Sequence, residues 1–498
     1  TSLYPSIQMT LNIGADTFIP NPPQELLDLK EKYFLRYYEE ESAEEVQNKN
    51  LKFVKEVLFN KEIREEVHSV LDKYNVCSTP NGIFFSKENR SLISEIIEKN
   101  LKDRKHQKTL MKEQEKIIET LKKEHKDYSD AKNLRDRYDA TQTSLKVLLN
   151  SLYGILSMEA NPFAGHKDIF SNSVTSFGQV ADLSCLVFAG DIINKINQKL
   201  DNPLKVKGNK ELPWIPQADT DSGYICLEPY VKLIKTPEDD VYSITEKIDN
   251  FLKKIMLPKL QDHLMNTLCY FFNAKMPEKM NLDREIISDK FFSIGNKNYY
   301  CRIFDNEGVR LTEPKIKTVG IAVKKTNCPK FFRNSVLEAM VLLLDNKDKE
   351  IRELTQKYKQ EIKKANILDL AISVNINSID YQYDNQGKLY TIKNGKRLPA
   401  PINSRAAIVY NSFIKKYNIP LKEIETGKAN YIFLKEPNIT KSNVIAFKDP
   451  KIFEYKDLKN YIDYDLLFEK YYLGLLELIT KPLKLDPFKE NKIDLDEW

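Results

Sequence analysis

Between Ser91 and Tyr153 the chain contains neither proline nor glycine, and charged and apolar residues alternate with helical periodicity throughout. So long a stretch without a backbone breaker commits it to long helices. The polar segment Lys126-Asp127-Tyr128-Ser129-Asp130 is the place for a turn that divides it in two. Two helices joined by a short turn run antiparallel and project as a hairpin. Composition then narrows what is built around that hairpin. Only 15 glycines accompany 26 Tyr and 24 Phe, with no GxGxxG and no GxxxxGK[ST], which excludes the glycine-built phosphate loops of dinucleotide-binding and Walker-type folds.

At 498 residues the length predicts roughly three domains, or one large multi-layered body. A chain 41% hydrophobic and 30% charged is neither a membrane bundle nor disordered. No run approaches the ~20 apolar residues of a membrane span, and a signal peptide is lacking, so a cytoplasmic protein without membrane contact is expected. Lys+Arg 77 against Asp+Glu 72 leaves only +5, so a nucleic-acid partner has to be gripped by local basic patches. The six cysteines form no CxxC pair and the five histidines do not cluster with them, which points away from a zinc site or disulfides and towards a reducing compartment.

Residues 1 to about 90 mix short apolar runs with turn signals such as Asn21-Pro22-Pro23 and predict mixed α/β structure. After Asn161-Pro162 a helix should run to about Asn197. Short strands follow around 214–227 and 290–304, the latter pair divided at Gly295-Asn296. From about 321 helical patterns dominate, broken by the polar loop Asp384-Asn385-Gln386-Gly387. No internal repeat or low-complexity linker appears, so the parts are expected to pack as one body.

Three segments carry chemistry. In Ala218-Asp219-Thr220-Asp221-Ser222-Gly223 the alternation of a hairpin puts Asp219 and Asp221 on one side, two carboxylates within reach of one hard cation, for which Mg²⁺ is the natural guest. An isolated DxD is more often a solvated turn. In Lys146-Val147-Leu148-Leu149-Asn150-Ser151-Leu152-Tyr153-Gly154, spacings of four and three align Lys146, Asn150 and Tyr153 on one helix face, a cation, an amide and a ring that suit phosphate and sugar or base. The first helix offers Arg104, Lys105 and Lys108, with Arg104 and Lys108 one turn apart; for Lys105 a solvated face is the better reading. In Ser2-Leu3-Tyr4-Pro5-Ser6, Pro5 stiffens a strand-to-helix turn whose backbone N–H groups suit an anion.

SLYPS, KxxxNSxYG and DTDS in this order and at these separations resemble the family B DNA polymerases, most of all the replicative polymerases of T-even-type tailed phages. The resemblance covers essentially the whole chain. It extends to Leu282-Asp283-Arg284-Glu285, similar to the acidic strand beside the family's metal site, and to Gly295-Asn296-Lys297-Asn298-Tyr299, similar to its primer-gripping loop. Glu313-Pro314-Lys315-Ile316-Lys317 resembles the approach to its thumb. From Lys315 to Arg333 there are six basic residues and no acidic one, a stretch suited to duplex phosphates.

The resemblance implies an α+β fold: a palm of antiparallel sheet with helices (1–92 and 159–320), helical-hairpin fingers (93–158) and a mainly helical thumb with a C-terminal tail (321–498). It implies template-directed DNA synthesis with two Mg²⁺ ions. Asp221 would be their shared ligand, Asp219 a supporting carboxylate and Glu285 a further acid at the metal site. Arg104, Lys108, Lys146 and Asn150 would hold the dNTP triphosphate, with Ser2, Leu3 and Tyr4 lining its other side. Tyr4 would exclude a ribose 2′-OH, and Tyr153 and Gly154 would border the nascent base pair. Lys297, Tyr299, Lys315, Lys317, Lys324 and Lys325 would contact primer-template DNA. The tail, with Ile493, Leu495 and Trp498, would dock on a sliding clamp, and a phage enzyme would work in the host cytoplasm.

Departures accompany the resemblance. Gln217 stands where the family has Tyr, and Asn296 and Asn298 stand where basic residues are usual. The fingers segment is shorter than in phage relatives. The first catalytic Asp of the family would precede Thr1, so the chain is expected to need an N-terminal half that supplies this Asp and the exonuclease. Thr1 suits the first residue after an intein, which must be Ser, Thr or Cys; a trimmed gene product fits equally. A non-catalytic DNA-tethering subunit of a split polymerase is the alternative function. A protein-primed polymerase is disfavoured because large insertions between the first two motifs are lacking.

Overall fold

The computed structural model of the protein describes all residues except 1–2, 157–166, 207–210, 220, 325–327, 384–388, 394–395 and 482–498. Ser2, Lys325, the loop at 384–387 and the clamp-docking tail therefore lie outside the described residues. The chain forms two compact units, residues 1–289 with 303–315 and residues 290–302 with 316–498, where one body was expected. The division passes through β-strands and not through a linker, so no shift in composition marks it.

The first unit opens with four helices, α1 (Leu3–Thr10), α2 (Gln24–Tyr33), α3 (Ala43–Lys52) and α4 (Lys61–Lys73), and the two-stranded sheet β1 (Val76–Ser78) and β2 (Phe84–Ser86). Local chemistry sets their starts. Ser42 and Glu45 form a reciprocal capping box on α3, and the Asn60 side chain accepts from Glu62 and Ile63 N–H at the head of α4. The long helices expected after Ser91 are α5 (Leu92–Lys123) and α6 (Ser129–Leu156), which pack along one another. His125, at φ 52°, turns the chain between them.

The next helix, α7 (Lys167–Asn197), runs through the core of this unit. Phe170, Val174, Phe177, Val180 and Ala181 are buried with Ile7 and Leu11 of α1, Phe84, Phe85, Phe271 and Phe272. Within Ile169–Asn197 it is long and apolar enough to cross a membrane, which corrects the expectation that no run approaches that length. Two thirds of that window is buried inside the protein, so its apolarity is spent on internal packing. The hairpin β3 (Gln217–Asp219) and β4 (Ser222–Tyr224) follows, then α8 (Glu228–Ile234), α9 (Val241–Phe251) and α10 (Leu257–His263).

A three-stranded sheet, β5 (Ile286–Gly295), β6 (Asn298–Asn306) and β7 (Val309–Val319), contributes residues to both units. The second unit continues with α11 (Lys330–Leu344), α12 (Asp348–Glu361), α13 (Ile367–Leu370), β8 (Ile372–Ile376), β9 (Gln382–Tyr383), β10 (Leu389–Lys393), β11 (Lys396–Pro399), α14 (Ile402–Lys416), β12 (Gly427–Phe433), β13 (Val444–Phe447), α15 (Tyr464–Phe468) and α16 (Gly474–Thr480). It is more β-rich than the helical patterns suggested. Strands β13, β12 and β8 form an antiparallel sheet, with Phe433 opposite Val444 and Tyr431 opposite Ile372. Val444-Ile445-Ala446-Phe447 is wholly buried, among Tyr410, Phe332 and Leu476. An apolar run of four is too short to show a period, so its sequence does not separate buried strand from helix. The architecture as a whole is α+β.

Candidate active site

Strand β3 ends at Asp219 and β4 starts at Ser222, and these two residues are partners in the register. Asp221 therefore belongs to the turn, where its N–H donates to the Asp219 carbonyl at 2.6 Å. The alternation expected to align the two carboxylates does not operate, because it is a property of extended strand and Asp221 lies in the turn. The hairpin sits closely on α7: a Cβ added to Gly223 would lie 2.2 Å from the Leu186 side chain. One helical turn before Leu186 stands Asp182. Burial, and then the charges of Asp221 and Asp219, push its carboxyl up to about 6. Three acids thus share one electrostatic neighbourhood. The sequence reading missed Asp182, although a signal existed: it is the lone charged residue between Asp168 and Asp191 on a helix otherwise committed to the core.

Leu3, Tyr4 and Pro5 occupy the first turn of α1, so Pro5 lies inside a helix start and not in a strand-to-helix turn. Proline is accommodated there because first-turn N–H groups have no intrahelical acceptor. A Cβ on Gly178 of α7 would meet Leu3 and Ile7 at 3.4 Å and Tyr4 at 3.9 Å, which shows how near α1 approaches α7. The Tyr4 ring packs 4.5 Å from that of Tyr153. Leu149 of α6 is buried with Met9 of α1 and Ile97 of α5, so the three helices converge. Flanking that contact, Lys146, Tyr153 and Gly154 are half-buried and Asn150 is exposed. Gly154 has open space where a Cβ would project.

On α5, Arg104 is buried and Lys105 is exposed. The Lys108 ammonium lies 2.7 Å from a carboxylate oxygen of Glu307. The base of α5 is fixed by Glu98, whose carboxylate is paired with Lys279 and Arg90, each at 2.7 Å. These contacts hold it down at about 2, Lys279 contributing most.

Glu285 immediately precedes β5, and its carbonyl accepts the Glu307 N–H at 2.5 Å. Among the described residues, no group of three or more His, Cys, Asp or Glu side chains is gathered to hold a metal ion, so Glu285 is not drawn into one cluster with Asp219 and Asp221. Lys297 turns the chain between β5 and β6 at φ 57°. Tyr299, expected at a DNA surface, is only 5% exposed and packs on Phe291 with ring centroids 5.2 Å apart. The reason is burial along β6, where Tyr299, Tyr300 and Cys301 are all inside. Lys315 is exposed and Lys317 half-buried on β7. Lys324 ends a short helical turn, and its side chain is not described.

Comparison with known proteins bears on this arrangement. The profile of DNA polymerase family B matches residues 1–396. The chain belongs to DNA polymerase family B. A DNA-directed DNA polymerase from Escherichia phage RB69 is 26% identical over 366 residues, covering 71% of this chain and 38% of the phage protein. Its counterpart from Enterobacteria phage T4 is 24% identical over 372 residues, covering 72% and 38%. The likeness to phage family B polymerases read from SLYPS, KxxxNSxYG and DTDS thus extends well beyond those motifs, while the chain spans less than half the length of the relatives it matches.

Proposed function

We propose that this chain is the polymerase portion of a phage-type replicative DNA polymerase, transferring deoxynucleotides to a primer 3′-OH in the host cytoplasm. The observation that carries the reading is the β3–β4 hairpin, whose Asp219 and Asp221 are near enough for their charges to act on Asp182, in a chain that belongs to this family. Mg²⁺ fits that donor set, because it is commonly held by one or two carboxylates together with water and substrate phosphates. Asp221 and Asp219 would hold it, with Glu285 as a further acid. Two such ions, when bound, would lower the pKa of the primer 3′-OH and neutralise the departing pyrophosphate.

The remaining work falls to the chain's own side chains. Arg104, Lys108 and Lys146 supply cations and Asn150 an amide for the triphosphate. The first-turn N–H groups of Leu3 and Tyr4 face its other side. Tyr4, braced by Tyr153, closes the space a 2′-OH would need, and Gly154 leaves room at the nascent pair. Lys297, Lys315 and Lys317 meet DNA phosphates, whose attraction positions the duplex without reading its sequence. The part of the polymerase that precedes this chain supplies the first catalytic Asp and the exonuclease, and the terminal segment with Trp498 docks on a sliding clamp.

Primer extension with Mg²⁺ tests the reading, using this chain alone and the chain supplied with a fragment ending in the family's first catalytic Asp. Extension is expected once the fragment is present. Tight primer-template binding with no extension in either case would make the chain a tethering subunit instead.

A further inference from the structure

Helix α5 carries Arg104, Lys108 and Lys112 at four-residue intervals, so three cations stand in a row along one face. Two of them end on a single carboxylate from the β6–β7 turn. Lys108 Nζ lies 2.7 Å from Glu307 Oε1, and Lys112 Nζ lies 2.8 Å from Glu307 Oε2. The charge of Glu307 also acts on the Arg104 guanidinium. Glu307 is 19% exposed, so these pairs are less hydrated than ordinary surface ion pairs.

The carboxylate is held in place by a stiff turn. Glu307 has φ 50° and Gly308 φ 88°. The Gly308 N–H donates to Asp305 Oδ1 at 2.9 Å, and Asp305 is itself ion-paired with Arg284. Farther along α5 a second tie joins the same hairpin: Glu119 Oε2 accepts the Thr312 N–H at 2.8 Å. The helix is therefore tied to β6–β7 through Lys108 and Lys112 in one place and through Glu119 in another.

We propose that Glu307 is a positioning residue that holds α5 through Lys108 and Lys112, and that the triphosphate of an incoming nucleotide competes with its carboxylate for Lys108. This rests on the assignment of Lys108 to the triphosphate made above. An anionic ligand arriving at Lys108 meets a cation already neutralised, and gains access as Glu307 releases it. Fingers position and nucleotide affinity are thereby linked through one side chain.

The test is titration of the full chain with dATP and with inorganic triphosphate, each in Mg²⁺, alongside amide hydrogen exchange of α5. Glu307→Gln should bind both ligands roughly threefold to tenfold more tightly and exchange faster along Lys105–Lys116. Glu119→Ala should speed exchange as well, but leave both affinities within about twofold, which separates competition from simple loosening. Glu307→Asp, which keeps the charge but shortens its reach to Lys108, should shift affinity in the same direction by a smaller factor and serves if Glu307→Gln folds poorly. Unchanged or weaker binding by folded Glu307→Gln, or by folded Glu307→Asp where the first variant does not fold, overturns the proposal. Lys108→Ala locates such a failure. If it weakens binding, only the competition is wrong; if it binds as the wild type does, the triphosphate assignment of Lys108 has failed with it.

Discussion

The ring of Tyr4 on α1 lies 4.5 Å, centroid to centroid, from the ring of Tyr153 on α6, tilted by 41°. Two motifs far apart in the chain meet at this contact, and burial raises the affinity of the Tyr153 hydroxyl for its proton. Removing the Tyr4 ring would cost about 1 kcal/mol of aromatic contact and, in the role proposed above, open space for a 2′-OH. Tyr4→Ala should raise kcat/KM for ribonucleotides relative to deoxyribonucleotides by orders of magnitude in the polymerase proposed above. An unchanged ratio would make Tyr4 a packing residue only.

Asp221→Asn should abolish incorporation while leaving primer-template affinity within a few-fold. In its proposed role Asp221 acts on the transition state, whereas duplex affinity would come from phosphate contacts elsewhere. Single-turnover extension and filter binding read the two quantities separately. Ordinary extension by the variant would remove Asp221 from the site.

Arg104→Ala and Lys146→Ala should each lower kcat/KM for dNTP by at least about tenfold, the loss of one charge-assisted phosphate contact. Lys105 is exposed on α5, and its replacement by alanine should change little. Steady-state kinetics on a short primer would expose the opposite ranking, which would mean that another face of α5 meets the nucleotide.

Gly320 has φ 73°, and a Cβ there would lie 2.0 Å from the Lys297 carbonyl oxygen. Gly320→Ala should destabilise the second unit by about 2–4 kcal/mol, combining left-handed strain with a backbone overlap. Gly295 has nothing within 4 Å of the corresponding position, so Gly295→Ala is the matched control and should be mild. Denaturant melts of the two variants with equal midpoints would contradict this account.

His263 is buried between Phe188, stacked at 4.4 Å, and Phe59, and shares a 2.7 Å hydrogen bond with Ser184. Burial, with Arg64 adding to it, pulls its pKa down from 6.5 to about 4. Between those values the unfolded chain binds a proton that the folded chain does not, so stability falls as pH drops from about 6.5 towards 4, by at most ~3 kcal/mol, and is unaffected above that window. Urea melts at pH 7.5 and pH 5 measure this slope. His263→Gln should flatten it, and an equally steep slope in the variant assigns the acid sensitivity to other groups.

What the sequence alone determined is local or covalent in character. A span without Pro or Gly had to become α5 and α6, since nothing in it interrupts the backbone hydrogen-bond ladder, and DTDS was legible as part of a hairpin rich in carboxylates, though not which of its residues form the turn. The order and spacing of three motifs likewise carried the family, because chemistry constrains those residues one by one. Tertiary structure alone decided which groups face one another across long separations. Asp182 lies near Asp221 only because the hairpin seats Gly223 on Leu186. Lys108 meets Glu307 only because α5 docks against a turn 199 residues away along the chain, and Tyr299 is buried only because β6 acquires neighbours. Side-chain surroundings of this kind are set by packing between elements, and the periodicity of a single element holds no record of its partners.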